Sequence, residues 1–246
     1  MRHVLICISV LCFLVSIPLS PAHAEVEFTI KQVDPVPGVI NLGEQGIGDW
    51  CLVGNLNPTV NGVAGWLLPS EVKLAFDPAT MGDCEAICPV QPAYGIDISV
   101  IRVRVDVDAA CTLMLGLNVE EVAYPTSPDC PEPGDVVCAS PMYQVDLPQA
   151  GGFILTFHIE CPCLTFDKMY MLGVYMQSAT CEFNIGIDNI PTTCTNWFDW
   201  GEGWKDLVAE WGFPGNLRIW ADATCCEPPV PVEKNTWGKI KSLYRD

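Results

Sequence analysis

The sequence predicts an all-β protein: an antiparallel β-sandwich, with the jelly roll as its variant, stapled by disulfides and ending in a short C-terminal tail. Three observations carry this reading. Apolar and polar residues alternate with a period of two, turn clusters separate the alternating runs, and twelve cysteines follow a leader-like N-terminus.

The chain opens with MRHVLICISVLCFLVSIPLSPAHA. Arg2 and His3 precede an apolar run over residues 4–19, and Ala22-His23-Ala24 supplies the small-x-small pattern of a signal-peptidase site. Residues 1–24 are therefore expected to be a signal peptide. Pro18 and Pro21 fall where a membrane-spanning helix would have to continue, so no transmembrane segment is expected in the mature chain.

Residues 25–226 are expected to form the β-sandwich domain. In EVEFTIK, Val26, Phe28 and Ile30 alternate with Glu25, Glu27, Thr29 and Lys31. The clearest alternation covers residues 101–108. Ile101, Val103, Val105 and Val107 form its apolar face, and Arg102, Arg104, Asp106 and Asp108 its wet face. Further strands are expected over 71–76, 112–119, 153–160, 169–176, 183–188 and 217–223. Asp34-Pro35, Asn57-Pro58, Asn61-Gly62, Asp77-Pro78 and residues 127–131 and 148–152 punctuate them. One short helix is predicted over 204–211, where Trp204, Leu207, Val208 and Trp211 share a face before Gly212 and Pro214. At two turns it would need tertiary packing to persist.

Residues 227–233 read as a stiff proline-rich linker. Residues 234–246 form a basic, aromatic tail, in which Trp237, Ile240 and Tyr244 could share one side of an induced helix. Lys239 and Arg245 are among its four cations. The body has the opposite sign. Without residues 1–24 the chain carries 11 basic against 30 acidic residues. Such a field repels nucleic acid and anionic membranes and favours cations and basic partners.

The cysteines remaining after residue 24 are Cys51, Cys84, Cys88, Cys111, Cys130, Cys138, Cys161, Cys163, Cys181, Cys194, Cys225 and Cys226. An even number in an exported chain predicts up to six disulfides, each worth about 2–4 kcal/mol, with the connectivity open. Cys84–Cys88, Cys130–Cys138 and Cys181–Cys194 are candidate local pairs. Cys161-Pro162-Cys163 and Cys225-Cys226 lack the spacing of zinc knuckles.

Nothing in the chain assembles a recognisable catalytic constellation, so no enzyme activity is expected. His158 is the one histidine after residue 24 and is expected on the outer face of its strand, with Ile154 and Thr156. GxSxG, HExxH, phosphate loops and EF-hands are missing. Paired carboxylates could serve a glycan-active hydrolase. Yet Glu120 and Glu121 adjoin on a strand and should point to opposite faces. Asp188, Asp199, Glu202 and Asp206 are candidates for a structural Ca²⁺, whose hard ion wants several oxygens; no other cofactor is expected.

Trp197, Trp200, Trp204, Trp211 and Trp220 crowd into one stretch. Either they build core, or Trp197, Trp200 and Trp204 form a platform for sugar rings. At the tail, Asn235-Thr-Trp-Gly-Lys-Ile-Lys-Ser-Leu-Tyr-Arg245 resembles the TWGxIKxLYR-like ending of secreted bacterial proteins. Gly203-Trp-Lys-Asp-Leu207 and Phe213-Pro-Gly-Asn-Leu217 resemble a closing element of their β-sandwich domains. The resemblance implies export from a bacterium and a tail used in sorting or attachment. It brings no catalytic residues.

The expected role is thus a secreted or cell-envelope, non-catalytic structural or binding module. Its tail, through Trp237, Lys239, Ile240, Tyr244 and Arg245, would engage an envelope component, a glycan or another copy of the chain. A carbohydrate-binding module using the Trp197–Trp220 cluster is the first alternative, and a glycan-active hydrolase the second.

Overall fold

The computed structural model describes residues 28–33, 38–39, 50–60, 62–65, 68–80, 84, 88, 94–124 and 130–227. The expected signal peptide and tail, with Trp237, Lys239, Ile240, Tyr244 and Arg245, lie outside the described residues.

Two antiparallel sheets form the sandwich. The strands are β1 (Phe28–Val33), β2 (Gly38–Val39), β3 (Trp50–Gly54), β4 (Thr59–Val60), β5 (Gly62–Gly65) and β6 (Ser70–Phe76). Next come β7 (Gly95–Val107), β8 (Cys111–Ala123), β9 (Glu132–Ala139), β10 (Tyr143–Leu147), β11 (Gly151–His158) and β12 (Leu164–Thr165). The chain continues through β13 (Tyr170–Ala179), β14 (Phe183–Ile187), β15 (Asn196–Asp199), β16 (Lys205–Asp206), α1 (Leu207–Trp211) and β17 (Ile219–Cys226).

The first sheet is organised on β7. On one side β7 pairs with β11 and β12, on the other with β17 and β14. The sheet extends through β1 beyond β11, β3 beyond β17 and β5 beyond β14. The second sheet runs β10-β8-β13-β6-β15-β16, with β9 beside the far half of β8. The expected apolar face of β7 is realised, with Ile101, Val103 and Val105 buried in one core with the second sheet's Val72, Leu74, Leu115 and Leu172, whereas Arg104 on the expected wet face is itself buried and paired with Asp106. Phe153, Leu155 and Phe157 on β11 join the same core.

Local chemistry shortens the predicted helix. The Asp206 carboxylate accepts N–H bonds from Val208 and Ala209, so α1 starts only at Leu207, and Gly212 closes it in the left-handed conformation (φ 61°). Trp204 therefore lies before the helix, and Lys205–Asp206 pairs with β15 instead.

All twelve cysteines pair, as 51–84, 88–225, 111–181, 130–194, 138–161 and 163–226. The three expected local pairs are therefore incorrect. β9 is extended between Cys130 and Cys138, and an extended stretch of that length spans roughly 20 Å, far beyond the Cα separation a disulfide tolerates. β14 likewise carries the chain away from Cys181 before Cys194. Cys84 and Cys88 are one hydrogen-bonded turn apart, with the Cys88 N–H donating to the Cys84 carbonyl at 2.7 Å. Their sulfurs nonetheless bond to different first-sheet strands, at Cys51 on β3 and Cys225 on β17.

Candidate functional site: a buried lysine, asparagine and glutamate on the second sheet

The crowded tryptophans separate on folding. Trp220 is buried on the outer face of the first sheet with Leu52, Val60 and Ile154, its ring 5.3 Å from the Arg218 guanidinium carbon. Trp200 packs on the core side, 5.0 Å from Phe198 and 5.2 Å from the exposed Trp211, measured between ring centroids. Trp197 is buried, and its register partner on β6 is Lys73. Trp204 lies with the Lys73 ammonium 4.0 Å from its ring centroid, within cation–π range. The structure thus brings Trp197 and Trp204 to one lysine and places Trp200 elsewhere.

Three of the four carboxylates considered for Ca²⁺ accept backbone N–H groups. Asp188 Oδ1 accepts from the Ile190 and Asn216 N–H groups, at 2.8 Å each, and Oδ2 from the Asn55 amide at 3.0 Å. Asp199 Oδ1 accepts from Gly201 and Gly203 at 2.6 and 3.0 Å. Asp206 caps α1 and also accepts from the Cys194 N–H, while Glu202 is exposed. Among the described residues these four bring no three carboxylates within 4.8 Å of one another. Asp206 does approach Cys130 and Cys194, but those sulfurs are spent in a disulfide.

Glu120 and Glu121 diverge. Glu121 pairs with the exposed Lys168 at 2.8 Å and lines a recess of about 240 Å³ with Asp77, Tyr124 and Asp167. Glu120 points to the other face, where it meets Lys73. His158, at the end of β11, is exposed.

That outer face of the second sheet holds a polar cluster which the sequence did not reveal. Asn118 on β8, Gly173 on β13, Lys73 on β6 and Trp197 on β15 form one continuous row of register partners. Two residues along their own strands, on the same face, stand Glu120 and Glu71. Lys73 is 2% exposed and Glu120 3%, so an outward-facing ion pair is sealed from water. The Lys73 ammonium binds Glu120 Oε1 closely and lies 3.4 Å from Glu71 Oε1. The Asn118 amide nitrogen donates to the same two oxygens, at 2.6 Å to Glu71 and 3.2 Å to Glu120.

Amine and amide therefore converge on two shared carboxyl oxygens. Gly173 makes this possible: a Cβ there would overlap the Asn118 amide, which lies across β13 toward Lys73. Burial pushes the Glu120 carboxyl above its usual range, the Lys73 hydrogen bond and charge oppose that, and Glu71 and Asp135 add to it. Asn118 Oδ1 and Glu120 Oε2 are buried without a hydrogen-bond partner.

The first sheet's outer face is also polar, and its arginines are held by neighbouring carboxylates and by Asn55. Arg102 forms a two-point pair with Asp222, with one contact at 2.7 Å. Arg218 donates to the Asn55 carbonyl at 2.5 Å and to its side-chain oxygen at 2.9 Å. Burial lowers the Arg218 pKa to about 10, helped by Arg104 and opposed by Asp188.

Comparison with curated proteins finds no match. Among solved structures, the chain is similar to the clostridial cysteine protease Cwp84 after propeptide cleavage, at 9% identity and a TM-score of 0.45. That alignment covers 72% of this chain and 40% of the other. A structure of the cysteine protease and lectin-like domains of Cwp84, a surface layer associated protein of Clostridium difficile, aligns at 8% identity and a TM-score of 0.41, covering 72% and 36%. The chain thus spans well under half the length of these two matches. Residues 52–223 match the model of a domain of unknown function, DUF7451, and the chain belongs to that family.

Proposed function

We propose that this chain is an extracellular, non-catalytic structural and binding module that docks through its C-terminal tail. The observation that carries the reading is the cross-linking. Every cysteine after residue 24 is in a disulfide, and such density fits an oxidising compartment and a domain that must keep its shape outside the cell. Cys111–Cys181 and Cys138–Cys161 tie second-sheet strands to the connections that lead to or from the first sheet. Among the described residues no helix is long and apolar enough to cross a membrane.

The tail supplies the docking element: basic and aromatic, on a proline spacer, beside an acidic body. Its partner is an envelope component or a second copy, the latter by a heterologous contact. Removing residues 234–246 should reduce surface retention in the native host or abolish self-association of the purified chain. Retention and association both unchanged would refute the reading.

A second reading has one specific observation behind it. Trp211 is 47% exposed and packs against Trp200, the two rings tilted by 30°. An indole pair of this kind can stack on the C–H face of a sugar ring. Polysaccharide binding that disappears in Trp211→Ala would support it, and binding that survives there and in Trp200→Ala would exclude this pair.

A further inference from the structure

We propose that Lys73 and Asn118 join in an intramolecular isopeptide bond, formed with Glu120 as the proton-transfer group, which clamps β6 to β8 across β13. This goes beyond the docking role and does not depend on it.

The geometry brings the amine, the amide and a carboxyl group together. Two strand spacings, about 10 Å, separate the backbones of β6 and β8. The four-carbon lysine stem and the short asparagine arm reach toward each other over Gly173, where any side chain would block the path. The lysine nitrogen and the asparagine amide nitrogen are held on the same two carboxyl oxygens, Glu71 Oε1 and Glu120 Oε1. Such positioning replaces a bimolecular encounter by an intramolecular one.

Protonation follows from burial. An ion pair removed from water loses its solvation, so the neutral amine–acid pair becomes accessible by proton transfer from Lys73 to Glu120. Burial already favours the protonated form of Glu120. A neutral amine is the nucleophile that acyl transfer requires. Trp197 and Trp204 flank Lys73 and keep water from competing.

The step balances without an oxidant or co-reactant. Lys73 Nζ adds to Asn118 Cγ, and the C–N bond of a secondary amide forms. Glu120 relays the proton shed by Nζ to Asn118 Nδ2, the Cγ–Nδ2 bond breaks, and ammonia leaves. Counted from the lysine ammonium, the products are one amide and one ammonium ion, with Glu120 restored to its carboxylate. Glu71 orients the amide and, being partly exposed, marks the side on which ammonia reaches solvent.

Two further features suit a reactive cluster better than a resting ion pair. Asn118 Oδ1 and Glu120 Oε2 are buried without a hydrogen-bond partner, which leaves the carbonyl oxygen and the second carboxyl oxygen open to take part in the addition and the proton transfer. In addition, two carboxyl groups face one ammonium, so the site holds a surplus negative charge unless one carboxyl is protonated.

The test is the intact mass of the full chain secreted by an oxidising host and then reduced, followed by tryptic mapping. The expected result is a mass short by one ammonia, no cleavage after Lys73, and a branched peptide joining residues 73 and 118. Glu120→Gln should restore the lost ammonia while six disulfides still form, which separates loss of the reaction from loss of folding. A full mass with Lys73 cleaved normally overturns the proposal. So does a loss of water, which would mean an amide to a glutamate, or an ammonia loss mapped elsewhere, such as a succinimide at Asn61-Gly62.

Discussion

Cys88 and Cys225 stand 137 residues apart in sequence, yet their Cα atoms lie 5.4 Å apart and their sulfurs are bonded. The bridge anchors the last strand, β17, to a residue just ahead of β7, the strand that β17 pairs with. A cross-link over so long a loop removes much freedom from the unfolded chain. Replacing both Cys88 and Cys225 by serine should cost roughly 2–5 kcal/mol of stability. Urea unfolding of the double variant checks this, with the other five bridges confirmed intact.

Asp206 is expected to matter more to stability than its neighbours in the acidic stretch. Its two oxygens accept three backbone N–H groups, from Val208, Ala209 and Cys194, joining the cap of α1 to the Cys130–Cys194 bridge. Asp206→Ala should cost about 1–3 kcal/mol, because those donors lose their acceptor. Asp206→Asn should recover part of the loss. Asp199→Ala, which releases only an exposed turn, should have the smaller effect in the same thermal melts.

The raised pKa of Glu120 fixes the sign of a pH effect. A carboxyl that holds its proton more tightly when folded contributes stability fully present below its unfolded pKa, near 4.5, and lost as pH rises through the higher folded value. Relative to Glu120→Gln, the wild-type chain should therefore lose stability as pH rises from about 4.5 toward neutrality. Denaturant midpoints across that range measure the slope. An opposite slope would mean that the Lys73 ion pair outweighs burial.

The fold was legible where single strands declare themselves. Residues 101–108 alternate so regularly that only a half-buried strand fits, and β7 contains nearly all of them. Other strands were hidden by their own chemistry. No strand was expected over β9, whose Pro133 and Gly134 are poor strand formers, although the position beside β8 tolerates both. The disulfide partners could not be read, since sequence proximity favours local loops while extended strands carry neighbouring cysteines apart.

The Lys73 cluster was invisible for a related reason. Lys73, Asn118 and Gly173 come from three strands, and only the register of β6, β13 and β8 puts them in one row. A signal did exist in part. Glu71 and Lys73 on one strand, and Asn118 and Glu120 on another, each show polar residues at alternate positions, which ordinarily means a solvated face. Trp204, which precedes α1 in sequence, lies over the Lys73 ammonium and covers this face, a contact that no strand periodicity encodes.

Non-reducing peptide mapping of the protein secreted by its native host tests the central claim of a disulfide-stapled extracellular module most directly. The structure predicts six linked peptide pairs, joining 51 with 84, 88 with 225, 111 with 181, 130 with 194, 138 with 161 and 163 with 226. Free thiols at these positions, or the local pairs 84–88, 130–138 and 181–194, would contradict it.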